Sequence, residues 1–200
     1  MANQVSAKDV SELRARTGAG MMDCKKALQE SGGDVEKAID LLRQKGIAKA
    51  EKRAGRVASE GMVFAYQHFT GKVGVLVEVN CETDFVARTD DFKNLAKDLA
   101  LQVASTDPIS VTAELVPEDL LARERSIIEK QVAESGKPEA VRAKMVEGKL
   151  KKFLQEKALL DQPFVKDDKR SVNQVVKDLS AKVGENIVVR RFARFEIGQA

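Results

Sequence analysis

The sequence predicts an α+β protein: a three-helix N-terminal unit, an antiparallel sheet packed with helices, and a protruding helical hairpin. Apolar residues recur at helical spacing over residues 5–45, interrupted at Thr17-Gly18-Ala19-Gly20 and at Gly32-Gly33-Asp34. The period changes to two after Gly61, where Val73, Val75, Val77 and Val79 face one way along a strand. Helical spacing returns on both sides of Ser135-Gly136-Lys137-Pro138, and so short a loop between two long helices means an antiparallel pair over 117–157.

Taken in order, Ser6 is the expected N-cap of the first helix, and Met21, Cys24, Ala27 and Leu28 form the stripe of the second. Val35, Ala38, Ile39 and Leu42 form that of the third, which Gly46 is expected to end. This divides the chain into a helical unit at 1–46, a basic linker at 47–60 and an α+β core at 61–200. The linker carries Lys49, Lys52, Arg53 and Arg56; a solvated helical linker is the expected role, with contact to RNA as the alternative. Thr70-Gly71 turns a hairpin of Met62–Phe69 and Lys72–Asn80, and Gly74 and Leu76 suggest that the second face of the sheet is covered as well. Thr89 caps a helix whose stripe is Phe92, Leu95, Ala96, Leu99 and Val103. In the long hairpin, Leu120, Leu121, Ile127, Ile128 and Val132 should face Val141, Met145, Val146, Leu150, Phe153 and Leu154. Ser171 and Gln174 form a capping box, Gly184 ends that helix, and a strand from Ile187 to Ile197 closes the fold.

Composition removes several classes of function. The 200 residues are 43% hydrophobic and 32% charged, an ordinary soluble balance, and a net charge of +3 does not promote nucleic-acid binding. Cys24 and Cys81 form no CxxC, so neither a disulfide framework nor a zinc site is signalled and a reducing compartment fits. With no apolar leader and no apolar run long enough to span a bilayer, a cytoplasmic protein is expected. Gly18-Ala19-Gly20 precedes a helix but follows no strand, and Asp23 stands where a third glycine should be, so no nucleotide or other cofactor is expected. Cys81 and His68 are the only candidates for a nucleophile and base, and a buried thiol with a strand-face histidine is the favoured reading. Glu78, Glu82 and Asp84 lack a histidine to complete a metal site. What remains is an interaction protein rather than an enzyme. Met21 and Met22 are adjacent, so one helix stripe does not hold both, and Phe85 sits between polar neighbours at a strand exit.

Two stretches, Thr17-Gly18-Ala19-Gly20-Met21-Met22-Asp23-Cys24-Lys25-Lys26-Ala27-Leu28 and Glu78-Val79-Asn80-Cys81-Glu82-Thr83-Asp84-Phe85-Val86-Ala87, resemble the elongation factor Ts family. Ser135-Gly136-Lys137-Pro138, Lys144-Met145-Val146-Glu147-Gly148-Lys149 and Gln162-Pro163-Phe164-Val165 extend the likeness in family order. The resemblance implies a ubiquitin-associated-like N-terminal domain and guanine nucleotide exchange on elongation factor Tu. It assigns Thr83, Asp84, Phe85 and Val86 to dislodging the partner's Mg²⁺, and Leu13, Met21 and Met22 to docking, with His68 a further contact. Because this chain resembles the family's shorter members, it also implies a homodimer. The alternative is a ribosome- or RNA-associated binding or chaperone-like module using the helical hairpin or the basic linker.

Overall fold

The structure, a computed structural model, describes residues 5–198, so the outermost residues of the expected units, 1–4 and 199–200, lie outside the described residues. In chain order the elements are α1 (Ala7–Thr17), α2 (Met21–Glu30), α3 (Val35–Arg53), β1 (Glu60–Gln67), β2 (Val73–Cys81), α4 (Asp84–Ala87) and α5 (Asp90–Thr106). There follow α6 (Glu118–Ala133), α7 (Glu139–Lys157), β3 (Pro163–Phe164), β4 (Asp167–Ser171), α8 (Val172–Val183) and β5 (Val188–Glu196). The architecture is α+β, as the change of period predicts.

The caps fall where the sequence places them. Ser6 and Asp9 close a capping box on α1, Ser171 and Gln174 do so on α8, and Thr89 accepts a hydrogen bond from the Phe92 amide at the start of α5. Gly18 ends α1 at φ 69°, a left-handed conformation that favours glycine. Val10, Leu13, Cys24, Ala27, Leu28, Ala38 and Leu42 make the core of the helical unit.

Gly46 does not end the third helix; α3 runs on to Arg53, so the expected linker is helical over much of its length. The reason is tertiary. A Cβ at Gly46 would lie 3.0 Å from the Ala181 Cβ, so the missing side chain lets α3 press against α8. Lys177–Glu51 at 2.7 Å and Arg43–Asp178 at 3.6 Å flank that contact. Burial raises the Asp178 carboxyl above its ordinary range, outweighing the opposing pull of Arg43 and Arg170.

The main sheet has the order β1-β2-β5, antiparallel throughout. Val75, Val77, Val79 and Cys81 are buried against Phe92, Leu95, Ala96, Leu99 and Val103 of α5 and Val172 and Val176 of α8. Fully burying a ring such as Phe92 contributes on the order of 2–3 kcal/mol. The second face, expected to be covered, is open: Leu76 is 45% and Phe195 70% exposed. The helices that cover the sheet all join one core, on the face that carries Val75, Val77 and Val79. A bulge adds to this, because Glu78 pairs Arg191 while Val79 pairs Val189, leaving Arg190 extra. Val189 and Phe192 therefore face the core, whereas Phe195 and Ile197 turn outward.

The hairpin of α6 and α7 forms as expected, but its seam is narrower than the sequence implies. Ile128, Val132, Val146 and Leu150 are buried with Leu121 and Met145 against them, while Ile127 and Val141 face solvent. Two helices alone bury only the residues directly between them. The small β3–β4 hairpin was not visible in the periodicity, since Asp167–Ser171 is almost wholly polar.

The fully buried Gln102 ties α5 to this hairpin. Its Nε2 donates to Gln162 Oε1 at 3.0 Å and to the Pro163 carbonyl at 3.1 Å, and its Oε1 accepts from the Val165 amide at 2.8 Å. Gln102→Leu should therefore lower unfolding stability by about 1–3 kcal/mol, measured by urea denaturation, because it removes three hydrogen bonds made by a fully buried amide.

Candidate partner-docking site

At the end of β2 the chain leaves the sheet at Cys81 and winds into α4, a single turn of four residues. A turn this short does not hold itself together, so its geometry depends on anchors. Thr83 is the N-cap: its Oγ1 accepts from the Val86 amide at 3.4 Å and donates to Glu185 Oε1 at 2.6 Å. The amides of Glu82 and Thr83 both donate to Glu185 Oε2 at 3.1 Å. Cys81 Sγ donates to the Thr83 carbonyl at 3.1 Å. Glu82 Oε1 in turn accepts from the Asn186 amide at 2.6 Å, and Asn186 Nδ2 donates to the carbonyls of Ala54 and Arg56 at 3.3 and 2.9 Å. Val86 and Ala87 pack on the core, while Phe85 is 79% exposed. Asp84 pairs with Arg88 at 2.8 Å on the surface.

Met21 and Met22, at the start of α2, are 51% and 64% exposed, so both point outward, including the Met21 that the stripe would have placed inside. Leu13 is fully buried in the helical unit. It is not itself part of the exposed surface, because it lies in the core with Cys24 and Leu28. His68 lies in the turn between β1 and β2, with Nδ1 2.9 Å from Thr70 Oγ1 and its ring 4.3 Å from that of the exposed Phe69. The length of β2, roughly 25 Å at ~3.3 Å per residue, separates it from Phe85. Within one chain the structure does not bring them together.

A cleft of about 390 Å³ lies between the Thr17–Gly20 turn, α3 and α8. Its charges are matched internally, by Lys49–Asp23 at 2.9 Å and Lys182–Asp91 at 2.7 Å, with the Lys49 hydrogen bond the main cause holding the Asp23 carboxyl below its ordinary range. No group of three or more His, Cys, Asp or Glu side chains placed to hold a metal ion occurs among the described residues.

Glu185 and Asn186 are the residues that sequence reasoning missed. They follow Gly184, the left-handed C-cap of α8 at φ 78°, and precede a strand, which marks them only as a loop. Nothing in the local pattern announces a carboxylate whose partners are about a hundred residues away, at |i−j| of 102 and 103.

Burial, then the Glu185 carboxylate, push the Cys81 thiol from 9.0 up to about 11 against the opposing effect of its bond to Thr83, so it is no nucleophile near neutrality. The folded state favours the neutral thiol. That contribution is whole below pH 9.0 and lost as pH rises towards about 11. Urea midpoints measured from pH 8 to 11 should fall more steeply for the parent protein than for Cys81→Ala.

The chain was compared with known proteins. A sequence model described as Elongation factor TS matches residues 2–199. An elongation factor Ts of Syntrophomonas wolfei is 57% identical over 195 residues, covering 98% of this chain and 91% of that protein. One from Moorella thermoacetica is also 57% identical, covering 98% of this chain and 96% of its own length. One from Syntrophobacter fumaroxidans is 54% identical over 198 residues, with 99% of each chain covered. Similarity of this extent along the whole length places the chain in the elongation factor Ts family.

Proposed function

We propose that this protein is a guanine nucleotide exchange factor: it binds elongation factor Tu carrying GDP, displaces Mg²⁺ and promotes GDP release so that GTP can enter. The observation that carries this reading is Phe85, a large apolar side chain held 79% exposed on an anchored turn. A ring presented in this way fits a pocket in another protein. Mg²⁺ bridges a nucleotide's phosphates to the protein that binds them, so disturbing its ligands removes the largest local positive charge holding the diphosphate. In this scheme Phe85 acts as the wedge. Asp84 acts on the polar surroundings of the ion, and its surface pair with Arg88 contributes only ~0–1 kcal/mol, so it is readily redirected. Thr83 and Val86 hold the turn from either side, and the chain contributes no covalent chemistry of its own. Met21 and Met22 supply a second, softer contact through the N-terminal unit, whose buried core includes Leu13. By linkage, GDP and Mg²⁺ must weaken binding of this protein by the same factor as it weakens theirs.

The same reading includes a homodimer, and the open side of the sheet supports it. Ala65, Leu76 and Ala193 align across the three strands, with Val63 and Phe195 beside them, all exposed. These exposed apolar side chains, which share the face with the Glu78–Arg191 pair, fit a second copy by two-fold stacking of sheets about 10 Å apart. Each dimer would then present two Phe85 turns and two His68 loops, so that His68 has a route to a partner that Phe85 of its own chain does not reach.

Phe85→Ala should lower the rate of labelled-GDP release from elongation factor Tu at saturating factor by about ten-fold or more, with a smaller loss in complex formation. An unchanged release rate would remove the wedge. Leu76→Glu should convert a dimer to a monomer in size-exclusion light scattering, and a parent protein that runs as a monomer at all concentrations would defeat the dimer.

A further inference from the structure

β2 and β5 are paired as far as Asn80 and Val188, and two residues further along both chains lie Glu82 and Asn186. There the backbone ladder gives way to side chains. Glu185 accepts the amides of Glu82 and Thr83, at 3.1 Å each, while Glu82 accepts the amide of Asn186 at 2.6 Å. Each strand end thus offers a carboxylate to the other's backbone. The exchange satisfies the same donors a continued ladder would, yet frees the chain to leave the sheet and wind into α4.

We propose that Glu185 is the positioning residue of the docking turn, setting the direction in which Asp84 and Phe85 project. The proposal rests on the exchange-factor reading. Phe85 is 79% exposed and outside the core, and α4 is only one turn long, so its aim is inherited from its N-cap. That N-cap, Thr83, is bound by Glu185 through both its amide and its hydroxyl. Glu185 is itself immobilised: it follows the Gly184 cap of α8, and the hydroxyl of the buried Ser180 donates to its carbonyl. An acceptor that satisfies three donors on two successive residues defines an orientation, where a single bond would define only a distance. Asn186 extends the same node to the carbonyls of Ala54 and Arg56, so the segment that follows the N-terminal unit is referenced to the same point.

The experiment is stopped-flow release of labelled GDP from elongation factor Tu over a range of factor concentrations, which separates the maximal rate from half-saturation. It uses the full chain with Glu185→Ala, Glu185→Gln, Thr83→Val and Phe85→Ala, each checked by thermal unfolding. Glu185→Ala should lower the maximal rate about ten-fold or more while moving half-saturation less than about three-fold, because a misdirected wedge still docks but acts poorly. Glu185→Gln keeps an oxygen for the amides and should recover most of the rate, a rescue that a role in stability alone does not require. Thr83→Val removes the hydroxyl's bond to Glu185 together with its cap on the Val86 amide, leaves the two amide bonds to Glu185, and decides the matter if Glu185→Ala does not fold; it should show the same split. Full maximal rate in folded Glu185→Ala or Thr83→Val, beside a slow Phe85→Ala, overturns the positioning role and leaves the exchange reading standing. Full rate in Phe85→Ala removes the wedge and the positioning role with it, whereas a parent protein that does not accelerate release overturns the exchange reading itself.

Discussion

The contact of α3 with α8 is the one on which the rest of the arrangement depends. At Gly46 and Ala181 the two helices come as close as side chains allow, and ion pairs flank the approach. Helix α8 buries Val172 and Val176 against the sheet, and its C-terminal end supplies Glu185 and Asn186. One helix therefore carries the N-terminal unit on its flank and the anchor of the Phe85 turn at its tip. A helical unit of about forty residues is marginal by itself. Fixing it to α8 both supports it and sets its two exposed methionines in a constant relation to Phe85.

The exposed residues are conspicuous because so little of the adjoining structure is free to move. Val86 and Ala87 pack into the core and Cys81 is buried, so the turn has no slack with which to fold Phe85 inward. The proposed wedge role requires a mount stiffer than what the wedge enters. Cys81 is tied to the same turn by its burial and its bond to Thr83, and the same burial keeps its thiol protonated near neutrality.

A second consequence concerns the sheet. Three strands with helices gathered on one side leave the other side uncovered, and the Arg190 bulge adds Phe195 and Ile197 to it. The exposure is built in by register, since a single extra residue reverses the facing of every side chain that follows.

Much of the fold was legible in the residues themselves. Caps at Ser6, Thr89 and Ser171, stops at Gly18 and Gly184, and the stripes of α5 and α8 are decided within a few residues, because capping bonds and periodicity are local. The turn holding Thr83 to Val86 and the pair Met21-Met22 were visible for the same reason, as polar breaks and adjacent large side chains that one stripe does not absorb. Other features depended on what lies across space. Gly46 reads as a helix stop until Ala181 is seen against it, Leu76 as covered until the sheet proves three strands wide, and Leu13, which the family resemblance marks as a contact, is closed over by the helical core. Glu185 is the extreme case: its three bonds join segments about a hundred residues apart, at |i−j| of 102 and 103. The sequence by itself determined which segments are helix, strand and turn and which side chains have no place inside. Only the tertiary structure decided which of them are held, and in what direction, because direction is set by partners that no local pattern specifies.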